Sequence, residues 1–462
     1  MEASSFLGRT RELGALRRAF DRPQASLVRV AGLPGIGKTR LVRQAAADFR
    51  SVYHRVPPLP ESDQRRGLER ALTEQLGTVA GQSSWDELFE TLAAASSEAR
   101  PLVLVVDDAH RWEESRARVG PALEAALTEA RARGQALHVA LVSPELAAAP
   151  SADEPPALDL TLRPLSFRAA APFLPGVSVR ERLRAYAVFG GIPGHLVQVD
   201  AGASLGANIR RLVLDGDAAL ADAPLSLLER LFQTPSRYAA ILAALAGGEG
   251  DWGTVHAGVS DLSAGGQAAP YLKRLEEVGL VEARRSLDAS PRTRSRRYRI
   301  RDPFVAFWFG SVLPGRHLLP DGRGETLYTS AVRADLPRHA ATVLPEVCRD
   351  FMANDAIEIL GSNARESGSL WGTGYDIPIA GVLTSGAPFY GLPVGAEPQA
   401  GTTALARLDA QIRETRYGFG RERRLRILFV DGEPSLDLQR EVARRDDAHV
   451  VGYEALGGSD WR

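Results

Sequence analysis

Eight residues, Gly32-Leu33-Pro34-Gly35-Ile36-Gly37-Lys38-Thr39, restrict this chain more than any other stretch. They lie between an apolar run, Leu27-Val28-Arg29-Val30-Ala31, that reads as a buried strand, and Arg40-Leu41-Val42-Arg43-Gln44-Ala45-Ala46-Ala47, that reads as a helix start. Two glycines at fixed spacing followed by Lys and then Ser or Thr, between strand and helix, form a phosphate-cradling loop. The glycines let backbone N–H groups curl around a β-phosphate, and the helix N-terminus adds the positive end of its dipole. Lys38 reaches the β- and γ-phosphates, and the Thr39 hydroxyl faces magnesium. Of 56 basic residues only Lys38 and Lys273 are lysines. A chain that drifted so far toward arginine keeps a compact ammonium where a planar guanidinium does not fit. The expected ligand is a nucleoside triphosphate, ATP with Mg2+, held by Gly32, Pro34, Gly35, Ile36, Gly37, Lys38, Thr39 and Arg40.

Magnesium needs a carboxylate and hydrolysis needs a base, and both lie downstream. In Leu102-Val103-Leu104-Val105-Val106-Asp107-Asp108 five apolar residues make a strand buried on both faces, as a parallel sheet requires, with two acids at its C-terminal end. Asp107 is expected to hold magnesium beside Thr39. Asp108 is expected to orient or deprotonate water, which makes Lys38 and Asp108 the expected catalytic residues. His110 and Trp112 follow and read as structural. Leu137-His138-Val139-Ala140-Leu141-Val142-Ser143 reads as a further core strand, and Ser143 as either a γ-phosphate sensor or a plain strand cap.

Further motifs follow one order along the chain: Phe6-Leu7-Gly8-Arg9-Thr10-Arg11-Glu12-Leu13, the phosphate loop, Asp107-Asp108, Arg163-Pro164-Leu165-Ser166-Phe167 and Gly190-Gly191-Ile192-Pro193. After them come Tyr238-Ala239-Ala240-Ile241-Leu242, Tyr271-Leu272-Lys273-Arg274-Leu275 and Asp302-Pro303-Phe304-Val305-Ala306-Phe307-Trp308-Phe309. This order resembles the signal-transduction ATPases with numerous domains, a prokaryotic P-loop branch related to the AAA+ ATPases, and especially its archaeal-type members. The resemblance covers nearly the whole chain. It implies that Arg9 and Pro193 lie near the adenine, that Gly191 marks the start of a lid, and that a winged helix follows.

At 462 residues the chain is long enough for about three domains. Net charge is −1, and no apolar run approaches the ~20 residues of a membrane helix. Nothing in Met1-Glu2-Ala3-Ser4-Ser5 resembles a signal peptide, and the expected location is cytoplasmic, without membrane contact. The single cysteine, Cys348, excludes an intrachain disulfide and reads as a small buried apolar residue, and eight scattered histidines give no zinc spacing. The stretch from Pro144 to Pro156 reads as a surface loop before a last sheet strand near Leu158 to Leu162. Residues 1–205 are expected to form the P-loop core and 206–315 a helical lid and winged helix. A Gly/Pro-rich linker from Pro314 to Gly324 leads into a domain spanning 316–462.

Ser236 to Ala246 and Ala268 to Glu277 have helical spacing, and Leu280-Val281-Glu282-Ala283 with Tyr298-Arg299-Ile300 reads as a two-stranded wing. Arg284, Arg285, Arg292, Arg294, Arg296, Arg297, Arg299 and Arg301 crowd that hairpin, with Asp288 as the nearby acid. Such a local positive field suits DNA phosphates. A solvated hairpin, a hairpin that pairs with acidic surface of the P-loop core, or a protein-docking wing, with a protein partner or self-association, is the other reading. Lys273 and Arg274 are offset by Glu276 and Glu277, so no base-specific readout is expected.

By the same resemblance the C-terminal region looks like a restriction-endonuclease-type α/β fold. Such a fold carries a Glu on its first helix, an Asp on a strand and a Glu-x-Lys on the next. Glu346 and Asp376 match the first two, whereas Leu392 and Val394 stand where the acid and lysine belong, and no lysine follows Lys273. Metal-dependent phosphodiester cleavage needs that charged set. The expectation is a degenerate nuclease-like domain without nuclease activity, behind an ATP-driven switch. The rival is a nucleotide-gated scaffold with negligible turnover.

Overall fold

The computed structural model describes residues 7–77, 84–112, 115–145, 156–259, 268–290, 292–293, 295–395, 400–421 and 423–458. Phe6, Arg294 and residues 146–155 of the expected surface loop lie outside them. Packing divides the chain into two compact units, Met1–Pro164 with Ile192–Gly194, and Leu165–Gly191 with His195–Arg462.

The first unit is a five-stranded parallel sheet in the order β2-β3-β4-β1-β5, with β1 Ser26–Ala31, β2 Arg50–Arg55, β3 Leu102–Asp107, β4 Leu137–Ser143 and β5 Leu158–Thr161. Every residue of β3 and β4 is buried, which explains their unbroken apolar runs: both faces of a parallel sheet are covered by helices. The helices are α1 Thr10–Phe20, α2 Lys38–Ala46, α3 Glu61–Leu76, α4 Trp85–Ala94 and α5 Arg116–Ala132. On one face Leu68, Leu72, Leu88, Phe89, Leu123 and Leu127 pack against Leu102, Leu104 and Val106 of β3. Trp112 is fully buried there, with its ring 5.4 Å edge-on to Trp85 and 6.4 Å from His54, so it serves the core. Because all strands run the same way, Ala31, Arg55, Asp107 and Ser143 reach one edge of the sheet, where ligands bind in such folds.

The second unit holds a two-stranded antiparallel sheet, β6 Val281–Arg284 with β7 Arg297–Ile300, preceded by helices Pro235–Leu245, Trp252–Gly258 and Ala268–Glu277. In the Asp302-Pro303-Phe304 motif the Asp302 carboxylate caps a helix by accepting from the Val305 N–H (3.2 Å). The Trp308 indole donates to the Ala221 carbonyl (2.7 Å). The stretch expected to be a linker is helical instead, Leu313–Leu318 followed by a turn. Gly324 serves close packing there: a Cβ on it would lie 2.2 Å from the Leu214 carbonyl oxygen.

A mixed sheet follows, in the order β12-β11-β10-β9-β8, with β8 Ala364–Gly372, β9 Tyr375–Leu383, β10 Pro388–Val394, β11 Leu425–Val430 and β12 Ala448–Gly452. β8, β9 and β10 are antiparallel, whereas β10, β11 and β12 are parallel. Helix Arg333–Asn354 carries Glu346 and the fully buried Cys348. Leu392 and Val394 pack with Leu405 and Leu408 of helix Ala400–Glu414. Strand alternation therefore turns Phe389, Gly391 and Pro393 toward the other face, where Phe351 of the Glu346 helix meets Phe429 edge-on at 6.1 Å. Leu392 and Val394 thus point away from the Glu346 helix, and neither face of β10 offers an acid or a base.

Candidate functional site

The phosphate loop is built by its glycines. Gly35 (φ +77°) and Gly37 (φ +95°) lie in the left-handed region, and a Cβ on Gly32 would meet the Leu162 carbonyl oxygen at 2.7 Å. Gly37 is the N-cap of α2 and no side chain caps that helix, which leaves its first N–H groups to an anion. The Lys38 ammonium folds over the loop and donates to the carbonyls of Gly32 (2.6 Å) and Leu33 (3.1 Å). Burial lowers its pKa to about 8, against the opposing pull of Asp107 and Asp108.

Although β4 separates β1 from β3, the edge of the sheet brings Thr39 and Asp107 together: the Thr39 hydroxyl donates to Asp107 Oδ2 at 2.7 Å. Asp107 is buried, and it also accepts from the Tyr53 hydroxyl (2.8 Å) and from the Asp108 N–H (3.0 Å). A hydroxyl beside a carboxylate at the mouth of a loop of N–H donors is an oxygen set that suits magnesium and a polyphosphate. ATP with Mg2+ fits these residues.

Asp108 has φ +55°, the one positive value at a non-glycine residue among those described. Aspartate tolerates that region better than most residues, and such conformations gather at functional sites. Its carboxylate is paired with Arg55 (2.9 Å) and with Arg111 (3.6 Å).

Arg9 is buried, and desolvation lowers its pKa. Its guanidinium donates to the Arg163 carbonyl (2.7 Å) and the Ile36 carbonyl (3.4 Å), so it braces the phosphate loop. Pro193 lies between two residues that touch the same loop: Gly194 N–H donates to the Gly35 carbonyl (3.0 Å), and a Cβ on Gly35 would lie 3.3 Å from Ile192. Ser143 is buried, and its hydroxyl donates to the Glu145 carbonyl, closing the end of its own strand.

Tyr53 and Arg55 were not foreseen. They come from β2, whose Arg-Ser-Val-Tyr-His-Arg pattern carries no motif, and they reach the acids because β2 pairs with β3 and sets Arg55 opposite Asp107. Burial, with hydrogen bonding to Asp107, holds the Tyr53 hydroxyl protonated, its pKa pushed up to about 12.

In the second unit the β6–β7 hairpin, expected to be a wing, departs from the free positive field expected of it. Arg284 pairs with Glu249 (3.0 Å), Glu282 (3.1 Å) and Glu346, and Arg299 with Glu282 (2.9 Å) and Glu346 (3.2 Å). Arg297 holds Asp376 in a two-pronged contact (2.9 and 3.0 Å), its guanidinium 4.7 Å from the Trp371 ring. The two acids expected at the degenerate nuclease site therefore bind guanidinium groups, with Arg349 on Glu346 as a third (2.8 Å). The hairpin is tied down further where Leu287 N–H donates to the Ser369 carbonyl (3.0 Å) and Tyr375 to Asp288 (2.6 Å). Arg284 and Arg297 thus fasten the wing within the chain, whereas Arg285 and Arg292 are exposed and Arg296 half-buried. A cavity of about 1000 Å³ in this unit, lined by Leu183, Tyr328, Leu336 and Tyr453 among others, holds none of the expected ATP-, magnesium- or DNA-contacting residues. Among the described residues no helix is long and apolar enough to cross a membrane, and no cluster of three or more His, Cys, Asp or Glu is arranged for a metal.

Residues 5–142 match the family model of the AAA ATPase domain. An uncharacterized protein of Methanocaldococcus jannaschii is 22% identical over 363 residues, 75% of this chain and 77% of the relative. The Walker-type ATPase PABY2304 of Pyrococcus abyssi aligns at 17% identity with a TM-score of 0.49, over 65% of this chain and 95% of that one. The Aeropyrum pernix ORC2 protein, in ADPNP-ADP complexes, aligns at 17% identity with a TM-score of 0.32, over 71% of this chain and 95% of that one. The matched residues lie within the first unit.

Proposed function

We propose that this protein binds ATP with magnesium, hydrolyses it slowly, and couples its nucleotide state to DNA binding through the winged helix. The observation that carries the reading is the Thr39–Asp107 contact at the mouth of the Lys38 loop. Backbone N–H groups of the loop cradle the β-phosphate, Lys38 leaves the loop carbonyls for the β- and γ-phosphates, and Thr39 and Asp107 hold magnesium. Magnesium, when bound, neutralises charge on the phosphate oxygens. Arg9 and the segment around Pro193 fix the loop near the adenine. Asp108 orients the attacking water once Arg55 and Arg111 release its carboxylate. That pairing favours slow turnover, and it also supports the second reading, a nucleotide-gated scaffold whose ATP persists.

DNA contact on this reading falls to Arg285, Arg292 and Arg296, together with Arg294. The C-terminal domain is nuclease-like in plan and does not cleave, since its two acids neutralise arginines and no lysine stands near them. The test is ATP turnover with and without duplex DNA in the parent protein and in Asp108→Asn. Asparagine adopts positive φ readily and removes the charge, so the variant should bind ATP normally while turnover falls about a hundredfold or more. Equal rates in the two proteins would move the role of base away from Asp108.

A further inference from the structure

Between helix Ala400–Glu414 and β11 the chain runs Arg416-Tyr417-Gly418-Phe419-Gly420-Arg421. The Phe419 side chain is 81% exposed, more than any other large hydrophobic residue described. A phenyl ring gains from burial, and a slack loop would fold it down. This loop holds it out. Gly418 (φ +64°) and Gly420 (φ +78°) flank it in the left-handed region, and a Cβ on Gly418 would lie 2.7 Å from the Pro388 ring. Phe419 N–H donates to the Arg416 carbonyl (3.0 Å), Arg421 N–H to the Gly418 carbonyl (3.3 Å), and Arg424 Nε to that same carbonyl (3.2 Å). Tyr390 anchors the base of the loop through the Tyr417 carbonyl. Arg424 also lies 5.6 Å from the centroid of the Phe419 ring, and Arg413, Arg416, Arg421 and Arg423 are exposed along the same stretch of chain, with Glu414 the exposed acid among the described residues and Glu422 the other acid in sequence.

A rigidly displayed aromatic face set among arginines matches what an unpaired nucleotide requires: a flat surface for the base and cations for the phosphate. A duplex is a poorer fit, because its base faces are already stacked on one another. We propose that this loop is a binding site for single-stranded nucleic acid, in which Phe419 stacks on one base while Arg416 and Arg421 face the neighbouring phosphates. The site goes beyond the wing and does not depend on it.

The experiment is fluorescence anisotropy of labelled oligo-dT, oligo-rU of equal length, and duplex DNA with the full chain. Phe419→Ala should weaken binding of the single strands about tenfold, the loss expected for one stacked base, and leave duplex binding unchanged. Phe419→Trp should restore affinity, and its added indole emission should be quenched when either single strand binds. Arg416→Ala with Arg421→Ala should flatten the salt dependence by about 0.7 for each phosphate no longer neutralised. Equal affinity for the DNA and RNA strands would assign the contact to stacking and phosphate alone, and a preference for RNA would add the 2′-hydroxyl. A parent protein that binds neither strand, or a Phe419→Ala variant that binds both as the parent does, would overturn the proposal. Replacing Arg285, Arg292 and Arg296 with Ala tests the wing separately: it should cost duplex binding and spare oligo-dT.

Discussion

Lys38→Ala is expected to weaken ATP binding by about a hundredfold or more in calorimetric titration. On the proposed reading the ammonium exchanges its bonds to two loop carbonyls for charge-assisted bonds to phosphate, each worth about 1.5–3 kcal/mol. Two of them account for at least a hundredfold. The pH dependence has a definite sign. In the free protein the group titrates near pH 8, below the ordinary lysine value of 10.5, because of burial. A bound triphosphate raises that value again. ATP affinity should therefore be fully present below pH 8 and decline as pH rises above it. Titrations at pH 8.5 in buffers of different ionisation heat should reveal proton uptake. Without ligand, the unfolded chain holds a proton between about pH 8 and 10.5 that the folded chain has lost, so this residue makes the fold more stable as pH rises through that window. Unchanged ATP affinity in Lys38→Ala would remove the basis for a nucleotide site.

Glu346→Gln should lower stability to urea by about 2 kcal/mol. One carboxylate there neutralises Arg284, Arg299 and Arg349, whose side chains are only 14%, 16% and 8% exposed. Deleting it leaves three guanidinium groups crowded together. Breaking a fully buried pair costs about 3–5 kcal/mol. Glu346 itself is 41% exposed, so solvent screening reduces the figure. The surrounding arginines hold its carboxyl well below the usual carboxylate range. Its contribution is thus present above the ordinary glutamate pKa and is lost as pH falls through that range toward the depressed value. A variant as stable as the parent at neutral pH, yet weaker at pH 3, would contradict this account. Arg284→Ala combined with Glu346→Gln should cost less than the sum of the two single changes, because the residues share one network.

The phosphate loop was legible because its chemistry is local: two glycines, a lysine and a threonine must fall at one spacing, and β1 and α2 declare themselves by apolar pattern. The acids at the end of β3 were legible for the same reason. Tyr53 and Arg55 were not, since only the pairing of β2 with β3 brings them to Asp107. The ion pairs of the β6–β7 hairpin were not legible, for a related reason. Its acidic partners Glu249, Glu346 and Asp376 lie 35, 62 and 79 residues away in the chain, beyond any local count of charge. On β10 the missing acid and lysine were legible by composition, but the face to search was not. Strand alternation and the placement of two helices decide that.

The route of the chain between its two units has a consequence for inheritance. Residues Ile192–Gly194 belong to the unit formed by Met1–Pro164, although both their neighbours in sequence belong to the other. No single break divides the chain into two intact pieces: cutting after Pro164 deprives the phosphate loop of the Gly194 N–H, and cutting later leaves helix Val179–Phe189 without the rest of its own unit. Recombination that trades whole folding units at one crossover therefore cannot exchange this nucleotide domain cleanly.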